Sequence, residues 1–458
     1  MRIDFELVKT ILLVFLVSLS LLLTFGIWTY QGDYEPSSSS SATDAELNGE
    51  EETKKNLVQP SQVVMHDGNA LLGFSDSQDE LEVFQDISQW ALYDFDIIPE
   101  DEDIEIDESS HVIELIFPTS IPSSLINEVF TTDDSMLYDS KFKRVYIYAD
   151  ENQSSQQVVF KNREQDGISI RASVQNMTQV VEYYNRLSLV YDLIPFLEVE
   201  LANNSSVYIP ENEVNIAGKQ FRYETIDPET TNFRTIFFRR PSTIVNTRNA
   251  EGNQVLGDNQ REVVLNGYAM EYTNFYPSEN QQDEQESSFE RTANTGDFLI
   301  SSSIEYINSH KGWLTGQGIQ YRLFNLSEVS NKVDYRMVLE NHPVFSRGNE
   351  GLSMMSVMYK NLDEYQYVRP LIQLTKPYDR GQTDLMSGQE LYDYLQQTDR
   401  ISFNQIIDIQ LGYRMEQQGQ VFDFIPTWCI QTYAGWEYIT TEANAITQGG
   451  ETNAMGPN

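Results

Sequence analysis

Cysteine is nearly absent from this chain. The single Cys429 excludes an intramolecular disulfide and any cysteine-based zinc centre. Its neighbours in Thr427-Trp428-Cys429-Ile430 mark it as a core residue rather than a nucleophile. Histidine is scarce as well: His66, His111, His310 and His342 show no metal-ligand spacing. Basic residues are few, 30 Lys and Arg against 70 acidic residues, for a net charge of −40. Arg2 and Lys9 cancel Asp4 and Glu6, so the whole excess lies after residue 28. Such a body repels phosphate backbones and anionic headgroups, which excludes nucleic acid as a partner. Its ordinary consequence is solubility.

The signatures of catalysis are missing too. There is no H-E-x-x-H, no G-x-S-x-G and no Walker A loop. Gly316-Gln317-Gly318 lacks a third glycine and a preceding strand, and reads as a turn. The S-x-x-K spacing at Ser140-Lys141-Phe142-Lys143 works in penicillin-binding enzymes because a helical turn brings lysine to serine. Here Lys143 opens a strand, where residues three apart face opposite ways. Asp101, Asp103, Glu105 and Asp107 imitate the start of a calcium loop, but its glycine and final glutamate positions hold Ile106 and Val112. Among 70 acidic residues no carboxylate pair is singled out for glycoside hydrolysis. No catalytic residue, cofactor site or metal site is predicted, and the chain reads as a non-enzyme.

What is present is one long apolar run and a large aromatic-rich remainder. Thr10–Trp28 carries no charge and suffices to cross ~30 Å of hydrocarbon with about 20 residues. It is too long for a signal-peptide core and no small-x-small cleavage site follows, so it reads as an uncleaved anchor. Trp28 and Tyr30 fall at the outer interface as membrane-interface anchors. Arg2 and Lys9 precede the run, and Thr29–Thr53 contains no Lys or Arg. That asymmetry places the N-terminus in the cytoplasm and the bulk of the chain outside. Ser18, Leu22 and Gly26 share one side of the helix, and Ser20 and Thr24 form a second pair. Small and hydroxyl residues of this kind let membrane helices approach each other.

The expected organisation is α+β: a cytoplasmic N-terminus 1–9, a transmembrane helix 10–28, a Ser/acid-rich linker 29–56, an N-terminal α+β domain 57–204, a central β-rich domain 205–318, a C-terminal β-rich domain 319–445 and a polar tail 446–458. The sheets are expected to be mixed and largely antiparallel, with a few helices. Order is expected to resume near Leu57. Periodicity predicts helices over 79–93, 177–190, 296–309 and 387–397, the last capped by Ser387. It predicts strands over 62–65, 111–117, 143–148, 158–160, 168–170, 232–238, 262–272, 320–324, 334–339 and 405–415. Two helices are each followed by a Tyr-Arg-Met strand (335–337 and 413–415) and then by Pro-x-aromatic (343–345 and 426–428), a hint of two related lobes.

Trp28-Thr29-Tyr30-Gln31-Gly32-Asp33-Tyr34-Glu35, directly after the apolar run, resembles the YycH family of firmicute bacteria. Val421-Phe422-Asp423-Phe424-Ile425-Pro426-Thr427-Trp428 resembles the family's terminal Pro-x-Trp strand. Gly32 stands where the family often has proline, and the serine-rich spacer is longer than the family's. The resemblance implies a regulator of the WalK (YycG) sensor histidine kinase, which controls cell-wall metabolism. It also implies a YycI-like bitopic partner, contact with the kinase through transmembrane helices, and a three-domain ectodomain whose last two domains are YycI-like. The alternative is an extracytoplasmic binding module for a cell-wall or secreted ligand on a passive anchor.

Overall fold

The computed structural model describes Lys9, Leu16, Glu46, Leu47 and residues 49–439 apart from 100–109, 133, 135–137, 150–157, 163–166, 203–204, 229–232, 278–294 and 361–362. The anchor 10–28 (Leu16 apart), its candidate contact and interface residues, the acidic run 101–107 and the tail 446–458 lie outside the described residues. Among the described residues no helix is long and apolar enough to cross a membrane. The chain divides into a unit 1–43 and a unit 44–458, and the second holds two large sheets.

The first sheet contains β1 (Gln62–Asp67), β2 (Ala70–Phe74), β3 (Leu92–Ile98), β4 (His111–Pro122), β5 (Lys141–Tyr148), β6 (Val158–Lys161), β7 (Ser169–Val174), β8 (Leu193–Glu200) and β9 (Ser206–Pro210). Their spatial order is β3-β7-β6-β5-β4-β1-β2-β8-β9, all antiparallel. Helices α1 (Ser77–Ile87) and α2 (Met177–Val190) cover one face. α1 buries Val83, Phe84 and Ile87, and α2 buries Val180, Tyr183, Tyr184 and Leu187. Each such side chain removed from water stabilises by about 1.5–3 kcal/mol. The opposite face curls over itself. Gly73 leaves bare a spot where a Cβ would lie 2.2 Å from the Phe196 ring. With that spot open, β9 folds back until Tyr208 lies under the Arg144 guanidinium of β5, 5.2 Å from ring centre to cation.

The second sheet contains β10 (Val214–Thr225), β11 (Val245–Arg248), β12 (Gln254–Gly257), β13 (Arg261–Asn266), β14 (Ala269–Asn274), β15 (Ile319–Ser327), β16 (Lys332–Leu339), β17 (His342–Ser346), β18 (Met354–Lys360), β19 (Asp363–Pro370), β20 (Ile372–Leu385), β21 (Ile406–Gln418), β22 (Val421–Thr432) and β23 (Gly435–Ile439). Its order is β11-β12-β13-β14-β19-β18-β16-β17-β21-β22-β10-β20, with β15 on β16 and β23 on β22. Among the described residues, the one parallel pairing of this sheet sits at the centre, where Val344, Phe345 and Ser346 lie against Tyr413, Arg414 and Met415. The Pro-Val-Phe strand of the first sequence lobe therefore lies directly on the Tyr-Arg-Met strand of the second. Helices α3 (Thr295–Asn308) and α4 (Gly388–Gln397) belong to this half. α4 begins with a complete capping box between Ser387 and Glu390.

Three local expectations need correction. The helix expected over 79–93 ends at Ile87: Asp76 caps its start, while Leu92 already bonds the Thr131 carbonyl as strand. The strand expected over 232–238 is a one-turn helix, Phe233–Phe237. Phe233 and Phe237 are four apart and share a face in either structure, so alternation could not separate the two. The single strand expected over 262–272 is a hairpin of β13 and β14 that turns at Gly267, whose φ of +63° suits glycine.

Of the segment 29–56, the part from Glu46 is seated on the second half of the chain. Leu47, Gly49 and Glu50 donate backbone N–H bonds to the carbonyls of His310, Lys311 and Trp313 at 2.9, 3.1 and 2.9 Å. Asn308 brackets Glu52 from both sides, accepting its N–H and donating to its carbonyl at 2.9 Å each. Leu47 is fully buried, and a Cβ on Gly49 would meet the Lys311 and Trp313 carbonyls at 2.5 Å.

Candidate functional site between the two sheets

Besides β15 lying against β4 and a Lys141–Glu328 ion pair of 2.6 Å, the two sheets meet at a hairpin tip. Glu340 and Asn341 join β16 to β17 with φ of +48° and +64°, a turn that asparagine tolerates and glutamate seldom adopts. Glu340 is held there by Lys219 at 2.8 Å and by the Tyr413 hydroxyl at 3.3 Å. From this tip Asn341 Nδ2 donates to Glu80 Oε2 of α1 at 3.0 Å, and Arg322 donates to Asn341 Oδ1. Ser77 Oγ donates to the Glu340 carbonyl at 2.5 Å, and His342 Nδ1 lies 3.3 Å from the same hydroxyl. Burial pushes the Glu80 carboxyl up to about 8, against the Val63 amide and the Arg322 charge. Burial lowers the Arg322 guanidinium to about 10, and the His342 imidazole falls for the same reason.

Beside this junction a cleft of about 170 Å³ separates the curled first sheet from β21. Ile116, Ile194, Phe196, Ile407, Leu411 and Trp428 supply much of its apolar wall. Lys143, Arg144, Asp408 and Gln410 supply polar groups. Burial raises the Asp408 carboxyl, and the charge of Lys143 partly opposes that rise.

Behind the Arg144 wall lies a buried polar cluster. Glu114 accepts from His66 Nε2 at 2.8 Å and from Arg144 Nη1. Arg144 also donates to the Tyr208 hydroxyl at 3.2 Å and to the Ser206 carbonyl at 2.5 Å. Burial alone would raise Glu114, but the His66 hydrogen bond and the Arg144 charge outweigh it and hold the carboxyl below its ordinary value. The cluster pins β9 across β1, β4 and β5 and so builds one wall of the cleft.

The residues weighed as chemical candidates fall elsewhere or are structurally engaged. Cys429 is buried in β22, and burial pushes its thiol up, away from nucleophilic use. Ser140 Oγ bonds the Ile168 carbonyl, and Lys143 lies in β5, so the S-x-x-K spacing forms no helical pair. Buried His310 is depressed to about 3, first by burial and then by Arg369. His111 makes a surface contact with Asp67 at 3.0 Å. Among the described residues no group of three or more His, Cys, Asp or Glu is arranged to hold a metal ion. The sequence reading missed Glu80, Arg144, Asn341 and Gln410. Only Asn341 carried a local signal, as a turn-forming asparagine between two strands.

Two family models divide the chain between them: the YycH N-terminal domain matches 6–188, and the YycH C-terminal domain matches 204–445. The chain belongs to the YycH family. One YycH relative, the two-component system WalR/WalK regulatory protein YycH of Bacillus subtilis (strain 168), is 24% identical over 434 residues, covering 90% of each chain. The crystal structure of YycH from Bacillus subtilis superimposes with a TM-score of 0.68 at 19% identity, over 86% of this chain and 99% of that one. The mixed, mostly antiparallel sheets with few helices are therefore a YycH fold. The seam between the two models, 188 to 204, lies near the start of the segment that returns over the curled sheet and leads into β10.

Proposed function

We propose that this chain is a non-enzymatic regulator of a two-component system that acts on a WalK-like sensor histidine kinase. The match over nine-tenths of both chains to a protein named as a WalR/WalK regulator carries this reading. The buried, structurally engaged state of Cys429 and Ser140 is consistent with it. In this reading Thr10–Trp28 spans the membrane with the N-terminus inside, and the chain from Thr29 onward lies outside the cell. Ser18, Ser20, Leu22, Thr24 and Gly26 meet kinase helices, and a YycI-like bitopic protein completes the complex. The last two domains, 205–318 and 319–445, are the YycI-like part.

A regulator shifts a two-state kinase only by binding one state more tightly than the other. A tenfold shift takes about 1.4 kcal/mol, within reach of a few helix contacts. Within the folded unit, Leu47, Gly49, Glu50 and Glu52 are tied to residues 308–313, so the second half of the fold holds the chain from Leu47 onward. The test replaces Thr10–Trp28 with an unrelated spanning helix and reads kinase-dependent transcription in cells. Lost regulation with normal protein levels is the expected result. Unchanged output removes the helix from the mechanism.

A further inference from the structure

Four arginines are buried among the described residues, and one of them is held unlike the rest. Arg144 gives its two terminal amino groups to Glu114, Tyr208 and the Ser206 carbonyl. Arg322 gives them to Asn341 and Gln320, and Arg336 gives them to the Val344 carbonyl and Met354 Sδ. Each of these three leaves only its Nε without a partner. Arg369 is the reverse. Its Nε donates to the Pro370 carbonyl at 3.1 Å, while Nη1 and Nη2 have no partner among the described residues. Among those residues no carboxylate pairs with Arg369 and no ring lies under it, although it is 0% exposed.

The neighbours of Arg369 repeat the pattern. Tyr367 stands two residues before it in β19, on the same face. Tyr321 comes from β15, and His310 from the turn after α3, its ring 5.7 Å from that of Tyr367. The hydroxyls of Tyr321 and Tyr367 and Nε2 of His310 are buried without hydrogen-bond partners. All three groups feel the guanidinium. Burial raises both phenols and the Arg369 charge opposes that rise, while burial lowers His310 and the same charge adds to the fall. The other nitrogen of His310 faces the Tyr306 carbonyl, so Nε2 is an acceptor that borders the group and not a further donor. Charge then narrows the class of ligand. A water would meet the donors and leave the charge. Arginine does not shed its proton in proteins, and an unpaired buried charge costs far more than an unmet hydrogen bond. An anion answers both. Enclosure limits its size, since Tyr367 is 0%, Tyr321 2% and His310 3% exposed.

We propose that Arg369, Tyr321 and Tyr367 hold a single halide ion, such as chloride, inside the second half of the fold. The ion accepts from Nη1 and Nη2 and from the two phenol O–H groups, and it cancels the one buried arginine charge that no side chain answers. The backbone of the turn that carries His310 also bonds Leu47, Gly49 and Glu50, so the site lies beside the seat of that segment.

The test is thermal unfolding of the full-length protein in nanodiscs, in sodium chloride or sodium bromide against sodium gluconate at equal ionic strength. Wild type is expected to unfold a few degrees higher in halide, with a gain that saturates as halide is raised. Arg369→Met removes the charge and should lose that gain. Tyr321→Phe keeps the charge but removes one donor, and should raise the half-saturating halide concentration about fivefold, the effect of one lost hydrogen bond. It decides the matter if Arg369→Met does not fold. Equal midpoints in halide and gluconate overturn the site. A gain kept in full by Arg369→Met, or an unchanged half-saturation in Tyr321→Phe, places the halide elsewhere and overturns it as well. Unfolding is read on this protein alone, so failure here leaves the kinase reading untouched.

Discussion

The two sheets bury arginine in opposite ways. In the first sheet Arg144 is paired with Glu114, which His66 also holds, and the carboxylate outweighs burial to raise the guanidinium above its usual value. In the second sheet Arg336 is 2% exposed, and no carboxylate among the described residues forms an ion pair with it. It lies over the rings of Phe345 and Phe324, 4.3 and 4.5 Å from their centres, and donates to the Val344 carbonyl at 3.2 Å and to Met354 Sδ at 3.4 Å. Burial lowers its pKa, and the nearby charges of Glu350 and Asp334 only partly offset that. The first arrangement makes each charge dependent on its partner. The second spreads one charge over aromatic faces, so no single partner is indispensable.

The largest effect follows from breaking the paired arrangement. Glu114→Gln leaves Arg144 as an uncompensated buried charge and is expected to cost ~3–5 kcal/mol in a urea unfolding series. A cost below about 1 kcal/mol would show that Arg144 reaches water and would erase the contrast.

A second prediction sets the carboxylate within the first sheet against the one between the sheets. Glu114 is depressed in the folded state, so its contribution is present above the unfolded value of 4.5 and is lost as pH falls. Glu80 is raised to about 8, so its contribution is complete below 4.5 and disappears as pH rises towards 8. Between those values Glu80 should lower stability by up to about 1.4 kcal/mol per pH unit. Unfolding midpoints from pH 5 to 9 should flatten in Glu80→Gln. An unaltered slope would place the pH dependence elsewhere.

Smaller effects calibrate the comparison. Ser387→Ala removes the hydroxyl half of the α4 capping box, leaving the backbone N–H of residue 387 on Glu390, and should cost about 1 kcal/mol, read as a shift in unfolding midpoint without change of m. Arg336→Met should change stability by no more than about 1 kcal/mol, because a flexible apolar side chain can still pack on Phe324 and Phe345. A loss as large as that of Glu114→Gln would mean that the aromatic cradle depends on charge after all.

Where the sequence spoke clearly, it did so through periodicity and capping. α2 matches its expected span residue for residue, and Ser387 caps α4 as its spacing with Glu390 required. Phe233 and Phe237 misled because a spacing of four suits both helix and strand. Asn266-Gly267 announced a turn that the apolar positions around it obscured. The junction and cleft were hidden for a different reason. Glu80 and Asn341 are 261 residues apart, and the pairing that unites them depends on how two sheets dock. No local pattern encodes that docking. The seating of Leu47 was hidden likewise, since an acidic stretch after a serine run carries one leucine and little else.

The central proposal is that this YycH-family protein regulates a sensor kinase through Thr10–Trp28 acting as a membrane helix. Its most direct test is membrane co-purification of the full-length protein beside a version with Thr10–Trp28 replaced by an unrelated spanning helix. The account predicts that a sensor kinase and a second bitopic protein are recovered only with the native helix. Recovery of both by the replaced version would move the interface to the folded body, and recovery by neither would contradict the account.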